Sequence, residues 1–419
     1  MNLPASLTLR RAAVIVRSPK LRRRAFIIAA NAANSLLVPL LSPLFSFLVI
    51  RLTSVSLWGD FVRVLVVAQL AAHVAGWGNK DYQLRQFSRH PAQIAAAWQS
   101  NLFTRLGLFA LAALLLAAFG YSPLRWSLVV AMTLCLVIDQ SYDVFVLYRR
   151  DFLFAFGVEV VGIAVLAGPV LWLGGGLTVD RLIVLFAASN LVKPVLYGWR
   201  YRGQTLTRLA GRVNPAVLRL AFSFFLLGVT GLVQSRVDLY VVSYFLPARD
   251  VGQYQVYSNL VLYVQSAAGL VIAPFVKGLY RLSTGVILRL SAKLFALGLL
   301  LVAVGMPAVG VVLRYFYHLN FAPAYLLAGA LLALPIYFYV PVVYALFKAN
   351  RQNVVVAVTI LGIVVNLLLN LWWLPKQGML GAALAAAASQ WVMGAVYLAL
   401  GWSLSEQSDV VAGPNRVGL

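Results

Sequence analysis

The chain has 419 residues, of which 62% are hydrophobic and only 11% are charged, and its formal net charge at pH 7 is +23. A soluble domain usually has about a quarter of its residues charged, so this composition excludes a soluble enzyme and indicates a polytopic membrane protein. The gaps between apolar runs do not exceed about twenty residues, which leaves no room for a soluble catalytic domain.

Twelve apolar runs are long enough to cross a hydrocarbon core of roughly 30 Å as helices. The first run follows a basic N-terminus and is interpreted as an uncleaved spanning helix, because it is too long for the apolar region of a signal peptide. In chain order the runs are 25–50, 58–78, 95–119, 126–148, 153–174, 180–198, 219–246, 252–275, 292–314, 323–347, 354–374 and 379–403.

The positive charges fall mostly on one side of the membrane when successive runs are made to alternate. The loops on the N-terminal side carry most of the 34 Lys and Arg residues, which predicts cytoplasmic N- and C-termini by the positive-inside rule. Topology therefore explains the net charge, with attraction to anionic lipid as a by-product, and no nucleic-acid partner is needed. The opposite side carries Arg51, Arg125, Arg181, Arg249, Arg314 and Lys376.

An internal repeat divides the chain into two halves. The stretch 51–61 aligns without gaps on 244–254, which matches Gly59 to Gly252. Six runs precede the basic loop at 199–218 and six follow it, so both halves have the same orientation. This arrangement predicts a pseudo-twofold axis along the membrane normal and a central cavity between the halves.

The predicted fold is therefore an all-α polytopic membrane protein with about twelve transmembrane helices in two six-helix lobes around a central cavity. The predicted segments are a basic cytoplasmic N-terminus at 1–24, an N-terminal lobe at 25–198, a basic cytoplasmic linker at 199–218, a C-terminal lobe at 219–403 and a cytoplasmic tail at 404–419.

Catalytic and metal-binding motifs have no support in the spacing of the residues. The single cysteine, Cys135, lies inside an apolar run, and His73, His90 and His318 are scattered along the chain. This pattern offers no disulfide framework, no Ser/His/Asp arrangement and no histidine metal site. We predict no catalytic residues, no metal and no cofactor.

Four cations lie within the apolar runs, and such residues are functional candidates by default. Arg236 is about ten residues, or roughly 15 Å, from the outer end of its run, and Arg105 is at a similar depth. Arg63 lies closer to the outer surface and can extend toward it. Lys193, near the cytoplasmic end, is interpreted as an interfacial anchor. For Arg236, a structural pair with Asp238 is the alternative to substrate contact.

Acidic residues in the runs suggest a second role. Asp139 and Asp143 are one helical turn apart, and two acids on one helix face can hold a proton or a cation. The alternative is that they pair with arginines of other helices. Gln234 and Asp238 share a helix face from which Arg236 points away, which argues against a direct pair of Arg236 with Asp238.

The eighth run contains Tyr254, Tyr257, Asn259 and several glutamines, and it is interpreted as one wall of a water-filled cavity. The deep cations suit a substrate with phosphate or carboxylate groups. The predicted substrate-binding residues are Arg236, Arg105, Arg63, Tyr254, Tyr257 and Gln234. The predicted ion-coupling residues are Asp139, Asp143, Asp238 and Glu159.

The segment 238–257, DLYVVSYFLPARDVGQYQVY, resembles the region between the seventh and eighth helices of Wzx-like polysaccharide flippases. These belong to the multidrug/oligosaccharidyl-lipid/polysaccharide exporter (MOP) superfamily. The stretches 42–51, 58–61 and 370–383 are also similar to that family.

This resemblance implies a flippase in the bacterial cytoplasmic (inner) membrane. Its substrate would be an oligosaccharide on polyprenyl pyrophosphate, moved to the periplasmic leaflet by alternating access for lipopolysaccharide or exopolysaccharide synthesis. Arginines would hold the pyrophosphate. The implied partners are membrane lipids, a polysaccharide polymerase and the chain-length machinery.

Two other functions remain open at this point. An ion-coupled drug or metabolite antiporter of the same superfamily would have an acidic cavity, whereas the deep cations here favour an anionic substrate. A membrane-embedded polymerase, ligase or glycosyltransferase would usually carry a long outward loop with catalytic acids or histidines. Every predicted outward loop of this chain is short, which favours a transporter.

Overall fold

A computed structural model describes residues 42–77, 79–205, 215–272 and 275–412. Over these ranges the backbone forms helices and short turns, with no β-strand. The predicted basic N-terminus at 1–24, most of the first run, the middle of the linker at 199–218 and the end of the tail lie outside the described residues.

The described helices follow the predicted runs closely, with one addition in a predicted loop. In chain order they are α1 Ser42–Leu52, α2 Val55–Gly76, α3 Asn79–Arg89, α4 Ile94–Leu116, α5 Pro123–Gln140, α6 Asp143–Arg149, α7 Phe152–Leu173, α8 Val179–Arg200, α9 Pro215–Phe245, α10 Ala248–Ile272, α11 Thr284–Val311, α12 Pro323–Lys348, α13 Gln352–Gln377 and α14 Met379–Ala412.

The protein is an all-helical polytopic membrane protein. Within the described part of the chain, ten helices are long and apolar enough to cross a membrane, and they correspond to the predicted runs other than the first and the eighth. Of the first run, the structure describes the end, as α1. The eighth is the 25-residue helix α10, whose many polar residues keep it outside that set of ten.

Helix α3 lies where the sequence suggested a loop. A search for apolar runs does not find this helix, because it is amphipathic rather than apolar throughout. It buries Tyr82, Gln83 and Phe87 and exposes Arg85 and Arg89. A helix that is apolar along one stripe is stable against a partner helix without being long enough to span. The basic residues of this predicted loop are therefore held on a short helix beside the spanning ones.

Local signals at the loops set the helix ends. The Ser122 hydroxyl accepts a hydrogen bond from the Arg125 amide at the start of α5, where Pro123 occupies the first turn. Thr178 caps α8 in the same way through the amide of Arg181. Such caps satisfy amides that have no partner within the helix. The Arg125 guanidinium also pairs with Asp180 at 2.8 Å, which joins the starts of α5 and α8.

Contacts divide the chain into two compact units. The first unit contains Ala68–Phe222 together with the described residues before Val49, and the second contains Val49–Val67 and Ser223–Leu419. Helices α3 to α8 belong to the first unit, and α10 to α14 belong to the second. Helices α1, α2 and α9 each contribute to both. The lobe boundaries expected from the sequence stay a prediction.

The core of the first unit is an aromatic cluster around a break in a helix. Helix α5 ends at Gln140, and α6 begins at Asp143. The Trp98 indole donates to the Ser141 carbonyl at this break, over 3.0 Å, and thereby satisfies an acceptor that a continuous helix would have used. Rings from α3 to α8 fill the space around it: Phe87, Trp98, Tyr142, Phe145, Phe154, Tyr197 and Tyr201.

The core of the second unit lies among α12, α13 and α14. The Tyr339 hydroxyl donates to the Gln390 side chain over 2.8 Å, and the Tyr339 ring packs on Tyr397 with 5.1 Å between centroids. Val342, Leu346, Val355, Val358 and Met393 surround this pair. Buried tyrosines of this kind keep a hydrogen-bond partner for the hydroxyl while their rings add apolar contact.

The two glycines matched by the internal repeat contact each other in the second unit. A Cβ atom on Gly59 of α2 would overlap the Ala248 carbonyl of α10, and one on Gly252 would overlap the Val55 carbonyl of α2. The Trp58 indole beside this crossing donates to the Gln255 side chain over 2.9 Å. Small residues allow two backbones to approach this closely in a membrane protein. The repeat therefore marks a helix crossing.

We expect Gly59→Ala and Gly252→Ala each to lower the free energy of unfolding by about 2–3 kcal/mol, because the added methyl meets backbone atoms that cannot rotate away. Thermal melts of the purified protein in detergent measure this effect. The control is Gly231→Ala on α9, where a Cβ meets nothing within 4 Å; it should be neutral or stabilising by up to about 1 kcal/mol. Equal melting temperatures for all three variants would contradict the close crossing.

Candidate functional site

The first unit contains a group of buried charges, here called the lysine–acid cluster: Lys193 of α8, Glu159 of α7 and Asp139 of α5. The Lys193 ammonium lies 2.8 Å from the Glu159 carboxylate and 3.9 Å from that of Asp139. Their side chains are 13%, 22% and 15% exposed, respectively. Two acids share one lysine, so the ionised cluster carries one more negative than positive charge.

The backbone of α7 is shaped to admit the lysine. A Cβ atom on Gly162 would lie 2.6 Å from Lys193 Cε, so glycine at this point lets the aliphatic stem of the lysine pass close to α7. The Ser189 hydroxyl donates to the Gly162 carbonyl over 2.7 Å and holds α8 against α7. The interpretation of Lys193 as an interfacial anchor is wrong, because the side chain points inward to two carboxylates rather than outward to lipid headgroups.

Asp139 and Asp143 do not share one continuous helix. The break between α5 and α6 separates them, and each has a different partner: Asp143 lies 4.0 Å from the Lys80 ammonium of α3. Both side chains of this second pair are about half-exposed. The sequence left open the alternative that both acids pair with arginines of other helices. Both acids do pair with cations of other helices, but these cations are lysines.

Arg105 lies near the middle of α4 and is 2% exposed. Its Nε donates to the Asn101 side chain one turn earlier, over 3.1 Å, and Asp143 is within electrostatic range. Arg105 Nη1 and Asn101 Nδ2 have no hydrogen-bond partner among the described residues. A buried donor without a partner is costly, so this point of the first unit suits a polar or anionic group.

Arg63 has a structural role in the second unit. Its guanidinium donates to the Ser243 carbonyl over 3.1 Å and to the Leu246 carbonyl, and it pairs with Asp60 at 3.2 Å. These carbonyls end α9, where backbone acceptors lack partners within the helix. Arg63 thus caps α9, and its predicted part in substrate binding is not supported by these contacts.

Arg236 and Asp238 of α9 have separate partners on α10. The Arg236 guanidinium donates to the Asn259 side chain over 2.6 Å. The Asp238 carboxylate is 6% exposed and accepts a hydrogen bond from the Tyr254 hydroxyl. The expected absence of a direct pair is therefore what the structure shows. Among the described residues Arg236 forms no direct ion pair; its guanidinium is oriented by Asn259, and Asp238 lies within electrostatic range.

The predicted cavity wall on α10 is packed in this conformation. Tyr254 and Tyr257 are fully buried, and the Tyr257 hydroxyl donates to the Tyr325 carbonyl over 2.7 Å. The amide of Gln234 on α9 contacts the Met393 sulfur at 3.7 Å. Gln255, Asn259, Tyr254 and Tyr257 of α10 all bond to neighbouring helices. The sequence pattern could not distinguish such contacts from contacts with water.

Three polar contacts of the candidate residues were not predicted from the sequence: Asn101 with Arg105, Lys80 with Asp143, and Asn259 with Arg236. Asn101 could have been found, because it precedes Arg105 by four residues and so shares its helix face. Lys80 and Asn259 contact their partners across helices, and no spacing in the chain indicates such contacts.

Three solved structures resemble the fold of this chain. A multidrug resistance transporter of the MATE family in the MOP superfamily, in an inward-facing conformation, matches with a TM-score of 0.60 and 14% identity over 91% of this chain and 99% of its own. The lipid II flippase MurJ in an inward closed conformation matches with a TM-score of 0.56 and 14% identity over 90% of each chain. The eukaryotic MATE transporter AtDTX14 matches with a TM-score of 0.53 and 11% identity over 91% of this chain and 97% of its own.

At these identities the likeness shows the fold alone. The chain has the fold of these transporters and of this flippase. Membership of the MOP superfamily and of its Wzx-like branch stays a prediction. A scan against protein-family models finds no match, and neither does a search of curated protein sequences.

We expect Lys193→Met to lower the free energy of unfolding by about 2–4 kcal/mol, because it leaves two largely buried carboxylates without a cation. Adding Glu159→Gln to this variant should restore at least about half of the loss. Thermal unfolding in detergent at neutral pH measures both. The matched control Lys293→Met removes an exposed lysine of α11 and should change stability by less than about 0.5 kcal/mol. A loss that Glu159→Gln does not reduce would argue against the cluster.

Proposed function

We propose that the protein is a flippase that moves an anionic, lipid-linked oligosaccharide across the membrane. The substrate class is an oligosaccharide carried on polyprenyl pyrophosphate, for surface polysaccharide synthesis. The observation that carries the proposal is Arg236, a cation within a spanning helix that is oriented by Asn259 and makes no direct ion pair with any described carboxylate.

The electrostatics of α9 favour an anionic substrate. A guanidinium at membrane depth is costly unless an anion compensates it, and it binds phosphate oxygens through two parallel hydrogen bonds. Asp238 is within electrostatic range of Arg236, but its carboxylate accepts a hydrogen bond from Tyr254 and makes no direct ion pair with the guanidinium. A diphosphate group brings negative charge that can bind the guanidinium directly.

Arg105 extends the same argument to the first unit. Its buried Nη1 is a donor without a partner, and the nearest ion pair, Lys80 with Asp143, is half-exposed and accessible. The proposed pyrophosphate-binding residues are therefore Arg236 and Arg105, each within its own unit. The fold is also that of the lipid II flippase MurJ, a protein that acts on a lipid.

The lysine–acid cluster is the proposed ion-coupling element. Its surplus negative charge can be compensated by a proton or a small cation, and binding of that ion would weaken one Lys193 contact. Coupling of this kind links the occupancy of the cluster to the packing of α7 against α8. Asp139 and Glu159 then carry the coupling, while Asp143 and Asp238 have other partners. Alternating access stays the predicted mechanism.

A second candidate function is an ion-coupled antiporter of drugs or metabolites. The observation that favours it is the likeness to two MATE-family transporters, together with the acids of the first unit. It differs from the flippase in the charge of its cargo. An antiporter of organic cations would gain from removal of Arg236, whereas a flippase of a pyrophosphate lipid would lose.

We expect Arg236→Ala and Arg105→Ala each to reduce flipping at least about tenfold at unchanged protein level, because each removes a charge-assisted contact to pyrophosphate. Arg236→Lys should retain part of the activity, since it keeps the charge but loses the bidentate geometry. The measurement is the transfer of labelled polyprenyl-pyrophosphate-linked oligosaccharide across proteoliposomes. Arg314→Ala, which removes an exposed arginine of the turn after α11, is the control. Wild-type rates in both alanine variants would contradict the proposal.

The same proteoliposomes decide between the two candidates. With a proton gradient imposed, the flippase should leave the uptake of ethidium, an organic cation, at the rate of protein-free vesicles. Gradient-dependent ethidium transport that increases in Arg236→Ala, with no transfer of the lipid-linked oligosaccharide, would establish the antiporter instead.

A further inference from the structure

A polar pocket lies in the first unit where α6 and α8 end and α7 begins. Its volume is about 350 Å³, and its lining residues are Arg149, Asp151, Arg200, Tyr201, Gly203 and Gln204. We call it the arginine pocket. Arg149 is the last residue of α6, Asp151 precedes α7, and Arg200 is the last residue of α8. None of these residues belongs to the proposed transport site.

The pocket is held in shape by contacts behind it. The Tyr201 ring stacks on Phe145 at 5.1 Å between centroids. The Gln99 side chain of α4 donates to the Thr205 carbonyl over 3.1 Å and fixes the short turn Arg202–Thr205. A site whose walls are fixed in advance loses little conformational entropy when a ligand binds.

The charges of the pocket are only partly satisfied. The Asp151 carboxylate lies 3.5 Å from the Arg200 guanidinium and accepts a hydrogen bond of 3.4 Å from the Tyr201 hydroxyl. Burial and the neighbouring Asp151 carboxylate raise the pKa of Tyr201 above its ordinary value, so its hydroxyl remains a donor at neutral pH. Arg149 has no hydrogen bond or ion pair to any residue that the structure describes. Two arginines against one carboxylate leave a net positive charge.

The surroundings indicate a lipid. The spans Pro123–Arg149 and Val179–Arg200 both end at the pocket, which places it at one boundary of the hydrocarbon core. Leu153, Val195 and Trp199 are exposed nearby in sequence, at 59%, 63% and 67%. Exposed apolar side chains beside a basic pocket fit acyl chains below a headgroup, and tryptophan is common at this depth.

We propose that the arginine pocket binds the phosphate of an anionic phospholipid headgroup, with Arg149 as its principal contact and Arg200 as the second. The pocket lies on the side that the charge distribution predicts to be cytoplasmic. A bound phosphate there would pin the ends of α6 and α8 to the leaflet surface. This site is independent of the cargo, so it stands whether the protein is a flippase or an antiporter.

The test uses the purified full-length protein and native mass spectrometry with phosphatidylglycerol. Arg149→Gln should weaken the binding of the first phosphatidylglycerol about tenfold. Because Arg149 has no structural partner, the variant should keep its fold, which melting in detergent checks. The control Arg89→Gln removes an exposed arginine of α3, on the same predicted side, and should change the affinity less than about twofold.

A second variant should have the opposite effect on the affinity for phosphatidylglycerol. Asp151→Asn removes the carboxylate that competes for Arg200 and should strengthen phosphatidylglycerol binding about threefold. Phosphatidylcholine, whose headgroup has no net charge, should bind all variants alike.

Two results would overturn the proposal. Equal losses in Arg149→Gln and Arg89→Gln would mean that only the overall charge attracts the lipid. Thermal stabilisation by inorganic phosphate that depends on Arg149, with phosphatidylglycerol binding unchanged, would assign the pocket to a soluble phosphate instead of a lipid.

Discussion

Charges inside a spanning helix must find partners within protein, because hydrocarbon offers no water to solvate them. Each unit of this structure meets that constraint in its own way. In the first unit Lys193 binds two carboxylates of other helices. In the second, Arg63 caps backbone carbonyls, and Asp238 accepts from Tyr254. The charged groups that these pairings leave unsatisfied are more informative about function than the total number of deep charges, since only unsatisfied groups are available to bind a substrate.

The groups that remain after these pairings differ in sign. The lysine–acid cluster of the first unit carries one surplus negative charge, which suits a small cation or a proton. The guanidiniums of Arg105 in the first unit and Arg236 in the second make no direct ion pair with any described residue. An exporter coupled to an ion needs both a site for the ion and a site for the cargo. The opposite signs of these two remainders match a cation as the coupling ion and an anion as the cargo.

Hydropathy was sufficient to find the ten described spans, because a bilayer imposes one length and one polarity on each of them. The repeat matched Gly59 to Gly252 as equivalent positions, and the structure adds that both glycines lie at one helix crossing. The pairings could not be predicted in the same way. The position of Lys193 near a helix end suggested an anchor, and nothing in the order of residues shows that Glu159 and Asp139 lie beside it. Helix α3 was missed because its apolar residues form a stripe rather than a run.

Depth separates the roles of the arginines that remain available. At a boundary of the membrane, water and headgroups share the solvation of Arg149, so its attraction to a phosphate is modest and reversible. Farther into a span, the same guanidinium is costly when it stands alone, and an anion that reaches it recovers a larger free energy. A phosphate bound at Arg149 can therefore remain as a lipid of the leaflet. One that enters the span gains most where Asn259 already orients Arg236 and no described carboxylate contacts the guanidinium directly. The deep arginine is therefore the one suited to a cargo that must leave the leaflet.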